Sequence, residues 1–143
     1  MGTDFTQLND PLLGSQWYLR NTGQRYAEGA TDKPASFLDL NVADAWAKGY
    51  TGKGIVVGIS DDGIDLNHPD LQANLLKDLT YNAINGATGP AAYSTATPAS
   101  ETALAYTPAA DANEHGTVVG SIVGMTANNG VGMTGLAFDS KLV

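Results

Sequence analysis

The apolar positions of this chain are gathered into a few short runs, separated by long polar and glycine-rich stretches. Ile55-Val56-Val57-Gly58-Ile59 is almost unbroken and is entered through Thr51-Gly52-Lys53-Gly54. A run so short and so apolar predicts a strand buried on both faces, as in a parallel sheet. Val42, Ala45 and Trp46 recur at the spacing of one helix face. They predict a short helix with Asn41 as N-cap, Asp44 in its first turn and Gly49 just past its end. A second helix is predicted from His115 to about Thr126, where Gly116, Gly120 and Gly124 share a face and Val119, Ile122 and Val123 fill others. Each glycine costs such a helix about 1 kcal/mol against alanine. The pattern makes sense where that face lies close against a neighbouring backbone.

Around these elements the pattern is looser. Residues 1–40 read as an irregular arm with turns at Asp10-Pro11 and Asn21-Thr22-Gly23, anchored by Leu12, Leu13, Trp17, Tyr18 and Leu19. Asn67-His68-Pro69-Asp70 predicts a turn running into a helical turn over 71–76, and 79–84 a further strand closed by Asn85-Gly86. Residues 86–113, rich in Ala, Thr, Pro and Ser, read as a long surface loop, and 127–134 as a loop rich in Gly and Asn. Leu136-Ala137 and Lys141-Leu142-Val143 approach another strand.

Composition narrows the function classes. The 143 residues are 43% hydrophobic and 15% charged, enough for one domain with a core. Fifteen acids against seven bases give a net charge of −8, which argues against nucleic acid or an anionic membrane surface as partner and suits cation binding. There is no cysteine, so neither disulfides nor thiol chemistry are available. No apolar run approaches the ~20 residues of a membrane span. The first residues lack the pattern of a signal peptide, so the expectation is a cytoplasmic protein or one whose leader has been removed.

Two segments carry chemistry. Asp61 follows the predicted strand, and ligands of open α/β sheets bind beyond the carboxyl ends of strands. His115 opens the predicted buried helix. Projecting from the same sheet edge, an acid and a histidine form an orienting carboxylate and a general base, two members of a Ser-His-Asp triad in the chain order Asp, His, Ser. The positive end of the helix dipole disfavours an imidazolium, and a carboxylate offsets this. Plainer readings stay open: Asp61 as a turn cap, His115 as a helix cap. His68, the other histidine, sits in a proline turn and reads as structural. A metal site made of His68 and His115 lacks ligand spacing.

The motifs together resemble the N-terminal part of a subtilase, a subtilisin-like serine protease. Asp61-Asp62-Gly63-Ile64 resembles the family's aspartate motif and His115-Gly116-Thr117 its histidine motif. Asn9-Asp10-Pro11-Leu12, Gln16-Trp17-Tyr18-Leu19, Asn67-His68-Pro69-Asp70-Leu71 and Ala127-Asn128-Asn129-Gly130-Val131 are closer to the kexin/furin branch. The resemblance implies an α/β fold, a subtilisin-like, mostly parallel sheet flanked by helices, truncated before the serine-bearing half. Residues 1–143 would be the N-terminal part of a catalytic domain, with an arm at 1–40 and a partial core at 41–143. It implies Asp61 and His115 as catalytic residues and Asp62 as the wall of a pocket for a basic substrate residue, with a solvated turn acid as the alternative for Asp62. It implies structural calcium held by Asp10, Asp70, the Asn129 side chain and the carbonyls of Thr126, Val131 and Met133, hard oxygen donors of the kind calcium takes. The expected partners are a protein or peptide substrate and the remainder of the domain, and the expected setting is secreted or periplasmic.

Two departures qualify the resemblance. The family's Val-Ala-Gly after the histidine is Val118-Val119-Gly120 here, and none of the seven serines lies in the family's Gly-Thr-Ser context. The oxyanion asparagine is also absent. The chain alone is therefore expected to be inactive. A calcium-stabilised binding module and one half of a split protease remain alternatives.

Overall fold

The computed structural model describes residues 4–24, 38–83, 85–90 and 115–143. The expectations for residues 25–37 of the arm, for Ile84 and for residues 91–113 of the loop lie outside these. In chain order the regular elements are helix α1 (Ala43–Ala47), strand β1 (Val56–Val57), helix α2 (His115–Gly124) and strand β2 (Lys141–Leu142), with short 3-10 turns at Phe5–Gln7, Leu13–Ser15 and Lys77–Leu79.

The sheet is parallel. Val56 pairs with Lys141 and Val57 with Leu142. Bonds from Lys141 N to Ile55 O (2.9 Å), Val143 N to Val57 O (3.0 Å) and Ile59 N to Val143 O (2.7 Å) extend the pairing along the whole predicted run. On the far side of β2, Leu75 makes a parallel bridge to Leu142. Val57 and Ile59 pack on a core of Ile64, Leu71, Met125 and Leu142. Ile55 and Val56 are exposed, so the expectation of burial on both faces is met on one. Among the described residues nothing covers the other. The strand expected over 79–84 shrinks to a single antiparallel bridge between Tyr81 and Thr88, because Lys77–Leu79 is wound into a 3-10 turn just before it.

A second core of Leu19, Val42, Trp46 and Phe138 joins the arm and α1 to the segment before β2. Trp46 stacks edge-on against Phe138, its centroid 5.2 Å away, and its Nε1 donates to Leu136 O at 3.0 Å. Of the expected anchors of the arm, Leu19 is buried and Leu13 and Tyr18 pack against its core, while Leu12 is exposed. The C-terminus of α1 follows its sequence signal. Gly49 is left-handed (φ 86°), Gly49 N donates to Trp46 O and Tyr50 N to Ala45 O, the paired bonds of a Schellman motif. Its N-terminus does not. Asn41 is itself left-handed (φ 51°) and gives its N–H to Asp39 Oδ1, a backbone shape in which it cannot cap, so Val42 takes the N-cap place.

The glycines of α2 each meet a neighbour. A Cβ on Gly116 would collide with the Gly63 carbonyl. One on Gly120 would lie 3.2 Å from Ile64 Cδ1, and one on Gly124 2.9 Å from Leu142 Cδ2. The close approach expected of a backbone is real at Gly116. At the other two it is made by sheet and core side chains.

Candidate active site

β1 delivers the chain to a turn at 60–65, just past the carboxyl end of the parallel pair. Asp62 N donates to Asp61 Oδ1 at 2.8 Å, which fixes the Asp61 carboxylate on the turn. His115, the first residue of α2, brings Nδ1 to 2.9 Å from both Asp61 oxygens. The Asp61 side chain is 18% exposed and the His115 side chain 72%, so the acid is the better covered of the two while the ring stands in solvent. With Nδ1–H donated to the carboxylate, the neutral ring keeps its lone pair on Nε2, the outward nitrogen. The Asp62 N–H bond first, and the His115 bond next, hold the Asp61 carboxyl below its ordinary value. The Asp61 hydrogen bond first, then the Asp61 charge, raise His115 above 6.5, with a smaller contribution from Asp62. A carboxylate that stays ionised and a histidine whose outer nitrogen is free can orient a general base and stabilise the cation it becomes.

The helix start is held from the same turn. Gly116 N donates to Asp62 Oδ1 at 2.7 Å, and Asp65 N donates to Thr117 Oγ1 at 2.9 Å. Asp62 is thus a capping acid of α2 rather than the solvated turn acid weighed from sequence, and Thr117 is a contributor that sequence reasoning passed over. Gly63, at φ 131°, makes the turn that brings its carbonyl over Gly116.

A second polar cluster lies elsewhere. Asp10 and Asp70 are both buried and are joined through Asn129, whose N–H donates to Asp10 Oδ1 (3.1 Å) and whose Nδ2 donates to Asp70 Oδ1 (2.8 Å). Asp10 Oδ2 also accepts Asn128 N and Thr134 Oγ1, and Asp70 Oδ2 accepts Met133 N. Residues 126–134 form the loop that supplies these donors. Asn128, Gly130 and Gly132 are left-handed in alternation, and a Cβ on Gly132 would collide with the Asp70 carboxylate. Burial is the main cause that raises the Asp70 carboxyl above its ordinary value, and the Asp10 charge adds to it, against the hydrogen bonds from Asn129 and Met133. Gln16, missed from sequence, pins the arm here: Nε2 donates to Thr134 O and Oε1 accepts Thr134 N, both at 2.8 Å.

The oxygen donors of this cluster fit a hard cation. Among the described residues neither carboxylate has a Lys or Arg partner, and Thr126 Oγ1 is buried without a hydrogen bond. The arm takes the carbonyls of Gly132 and Thr134, the alternates of Val131 and Met133. One feature runs the other way. Asn129 turns its amide nitrogen to Asp70 while Oδ1 accepts Val131 N, so a cation there requires the amide to turn round. Among the described residues no three His, Cys, Asp or Glu side chains gather as a metal group, so amide and carbonyl oxygens would complete the set. His68 stays apart from His115. Its Nδ1 accepts Asp70 N at 3.2 Å and braces the proline turn.

A strand-end aspartate paired with a helix-opening histidine, on a parallel sheet, places the molecule among the α/β proteins of the subtilisin-like class. Residues 52–143 match the subtilase family, and the chain belongs to that family. It is 44% identical over 137 residues to human neuroendocrine convertase 2, covering 94% of this chain and 18% of that protein. To furin-1 of Xenopus laevis it is 36% identical over 138 residues, covering 96% of this chain and 14% of that one. Among solved structures, the serine protease of Aeromonas sobria superposes with a TM-score of 0.71 at 30% identity, over 94% of this chain and 19% of the protease. A protease of Pseudoalteromonas arctica superposes at 0.59, over 96% and 38%. The resemblance to the kexin/furin-like branch and the subtilisin-like fold therefore hold, and the chain spans less than a fifth of the curated relatives it matches.

Proposed function

We propose that this chain is the N-terminal part of the catalytic domain of a subtilisin-like serine endopeptidase. Asp61 orients His115 and His115 acts through Nε2 as general base toward a serine supplied by sequence beyond residue 143. The observation that carries this reading is the contact of His115 Nδ1 with both Asp61 oxygens at 2.9 Å, at the carboxyl end of a parallel strand. In the reaction His115 takes the serine proton as the hydroxyl attacks the peptide carbonyl, then returns it to the leaving amine. Asp61 holds the tautomer and balances the imidazolium charge between those two transfers. Oxyanion donors are supplied from outside this chain.

Two further assignments belong to the same reading. Asp62 lines a pocket for a basic residue of a protein or peptide substrate. A structural calcium is held by Asp10, Asp70, the Asn129 amide oxygen and the carbonyls of Thr126, Val131 and Met133. Bound there, it supplies a positive charge between two buried carboxylates and ties the arm to the loop after α2. The setting proposed is extracytoplasmic, secreted or periplasmic. No helix among the described residues is long and apolar enough to cross a membrane.

A fluorophosphonate probe tests the central claim. The full-length protein is expected to take one equivalent on a serine outside residues 1–143, and the isolated chain none. Ser121, for one, is buried and donates its Oγ to Thr117 O at 2.7 Å. Stoichiometric labelling of any serine within the chain overturns the reading.

A further inference from the structure

The turn after β1 and the start of α2 meet in register. Asp61 holds His115, Asp62 holds Gly116, and the N–H of Asp65 meets the hydroxyl of Thr117. These contacts run between two segments that lie 54 residues apart at the first two pairs and 52 at the third. The turn also encloses the backbone between them. A Cβ on Gly116 would meet the Gly63 carbonyl and would lie 3.0 Å from both Asp61 Cβ and Asp62 Oδ1.

His115 needs such support. It stands at the described start of its helix, close to where leading N–H groups lack intrahelical partners, and its ring is mostly in solvent. Asp61 grips the ring but does nothing for the backbone that carries it. The Asp62 carboxylate is the group that takes an N–H of that first turn, at 2.7 Å, and its charge is favourable at the positive end of the helix dipole. Because Asp61 and Asp62 share one peptide unit, the two grips are fixed relative to each other.

We propose that Asp62 is a positioning residue for the His115–Asp61 pair: its Oδ1 clamps the Gly116 N–H, sets the start of α2 on the turn, and so holds His115 Nδ1 at the Asp61 carboxylate. This rests on the proposed role of His115 only for its kinetic consequence, since the clamp itself is a matter of geometry. It also differs from substrate binding by Asp62, which loads KM with a basic substrate. The clamp loads kcat whatever the substrate, because a displacement of about 1 Å at a reacting group costs up to about 10²-fold.

The experiment compares Asp62→Ala with Asp62→Asn in the full-length protein with ¹⁵N-labelled histidine. Asn keeps an acceptor oxygen in place and loses the charge. The readouts are the downfield Nδ1 proton resonance of His115 and the kcat on a peptide substrate. Asp62→Ala is expected to broaden or lose that resonance and to lower kcat by about 10- to 100-fold, in addition to any rise in KM that follows from its place in the pocket for a basic substrate residue. Asp62→Asn is expected to keep the resonance and most of kcat. An unchanged resonance in Asp62→Ala overturns the clamp, as does an Asn variant as damaged as the Ala one. A loss carried wholly by KM also overturns it. If Asp62→Ala fails to fold, amide exchange of the wild type decides. Gly116 N–H is expected to be protected, and rapid exchange there overturns the proposal. A resonance that responds as expected in a protein without peptidase activity upholds the clamp while the proposed function fails, so the two are separable.

Discussion

Two polar clusters hold this chain together, and they use the same side chain in opposite ways. At the turn after β1, Asp61 accepts a backbone N–H and an imidazole, and its carboxyl is pushed below its ordinary value. In the arm–loop cluster, Asp70 is fully buried beside a second carboxylate, and its carboxyl is pushed above it. Both clusters join distant segments: residues 61 and 115 in the first, and 10, 70 and 129 in the second. The first leaves a nitrogen facing solvent, where chemistry can happen. The second surrounds two buried carboxylates with N–H and O–H donors, and it is there that the proposed cation would sit. The environment of each carboxylate, not its identity, separates a reacting site from a structural one.

The sharpest way to break this contrast is to delete a histidine from each region. If the proposed function holds, His115→Ala in the full-length protein is expected to lower kcat by about 10⁶, the scale of removing the triad histidine from subtilisin. His68→Ala, which removes a ring that accepts the Asp70 N–H away from the Asp61–His115 pair, is expected to change kcat by a few-fold at most. Steady-state kinetics on a peptide substrate checks both. The reverse order of damage exchanges the roles of the two regions.

The next effect tests the structural cluster. Calcium is expected to raise the Tm of the full-length protein relative to a chelator-treated sample, by an amount worth about 2.7 kcal/mol at one hundred times Kd. Asp70→Ala should remove most of that gain. Because the folded state holds the Asp70 carboxyl above 3.8, the folded chain binds a proton that the unfolded chain releases. Its contribution to stability without calcium therefore falls as pH rises from 3.8 through the folded value, and the calcium response grows over the same interval. Calorimetric scans across pH read both trends. Equal melting in calcium and chelator discards the site.

The smallest effect is a displacement rather than a loss. His115 is expected to titrate above 6.5, and Asp61→Asn should move its midpoint down, since the Asp61 hydrogen bond and charge are the leading causes of the rise. As a group raised in the folded state, His115 contributes stability that is present below 6.5 and is lost as pH rises through its folded midpoint. An NMR titration of the histidine ring protons measures it. A midpoint indifferent to Asp61→Asn breaks the pair.

What the residues announced in advance was local or rigidly patterned. Gly49 declared the end of α1 because a left-handed residue after a helix is a short-range matter. The glycine ladder of α2 declared a crowded face, and the Asp and His motifs declared their pairing through family resemblance. What escaped was decided at long range. Asn41 is a good cap by type, yet Asp39 drew its N–H into another turn. The work of Asp62 depends on a helix 54 residues away, and the exposure of Ile55 and Val56 on what lies across the sheet. The bonds that join Thr134 to Gln16 and to Asp10 left no periodic trace in the sequence at all.

The pairing of Val56 with Lys141 has a consequence for how the chain folds. Every contact of the candidate active site lies inside the loop which that pairing closes. Turns such as the one at 67–70 form from near neighbours and cost little closure entropy, whereas strands so far apart must meet before they gain anything. Parallel pairing of this reach belongs to the slow phase of folding. The acid and the histidine are therefore expected to come together in the same late event that seats β2 between β1 and Leu75, so the rate at which His115 acquires its partner is the rate at which the sheet closes.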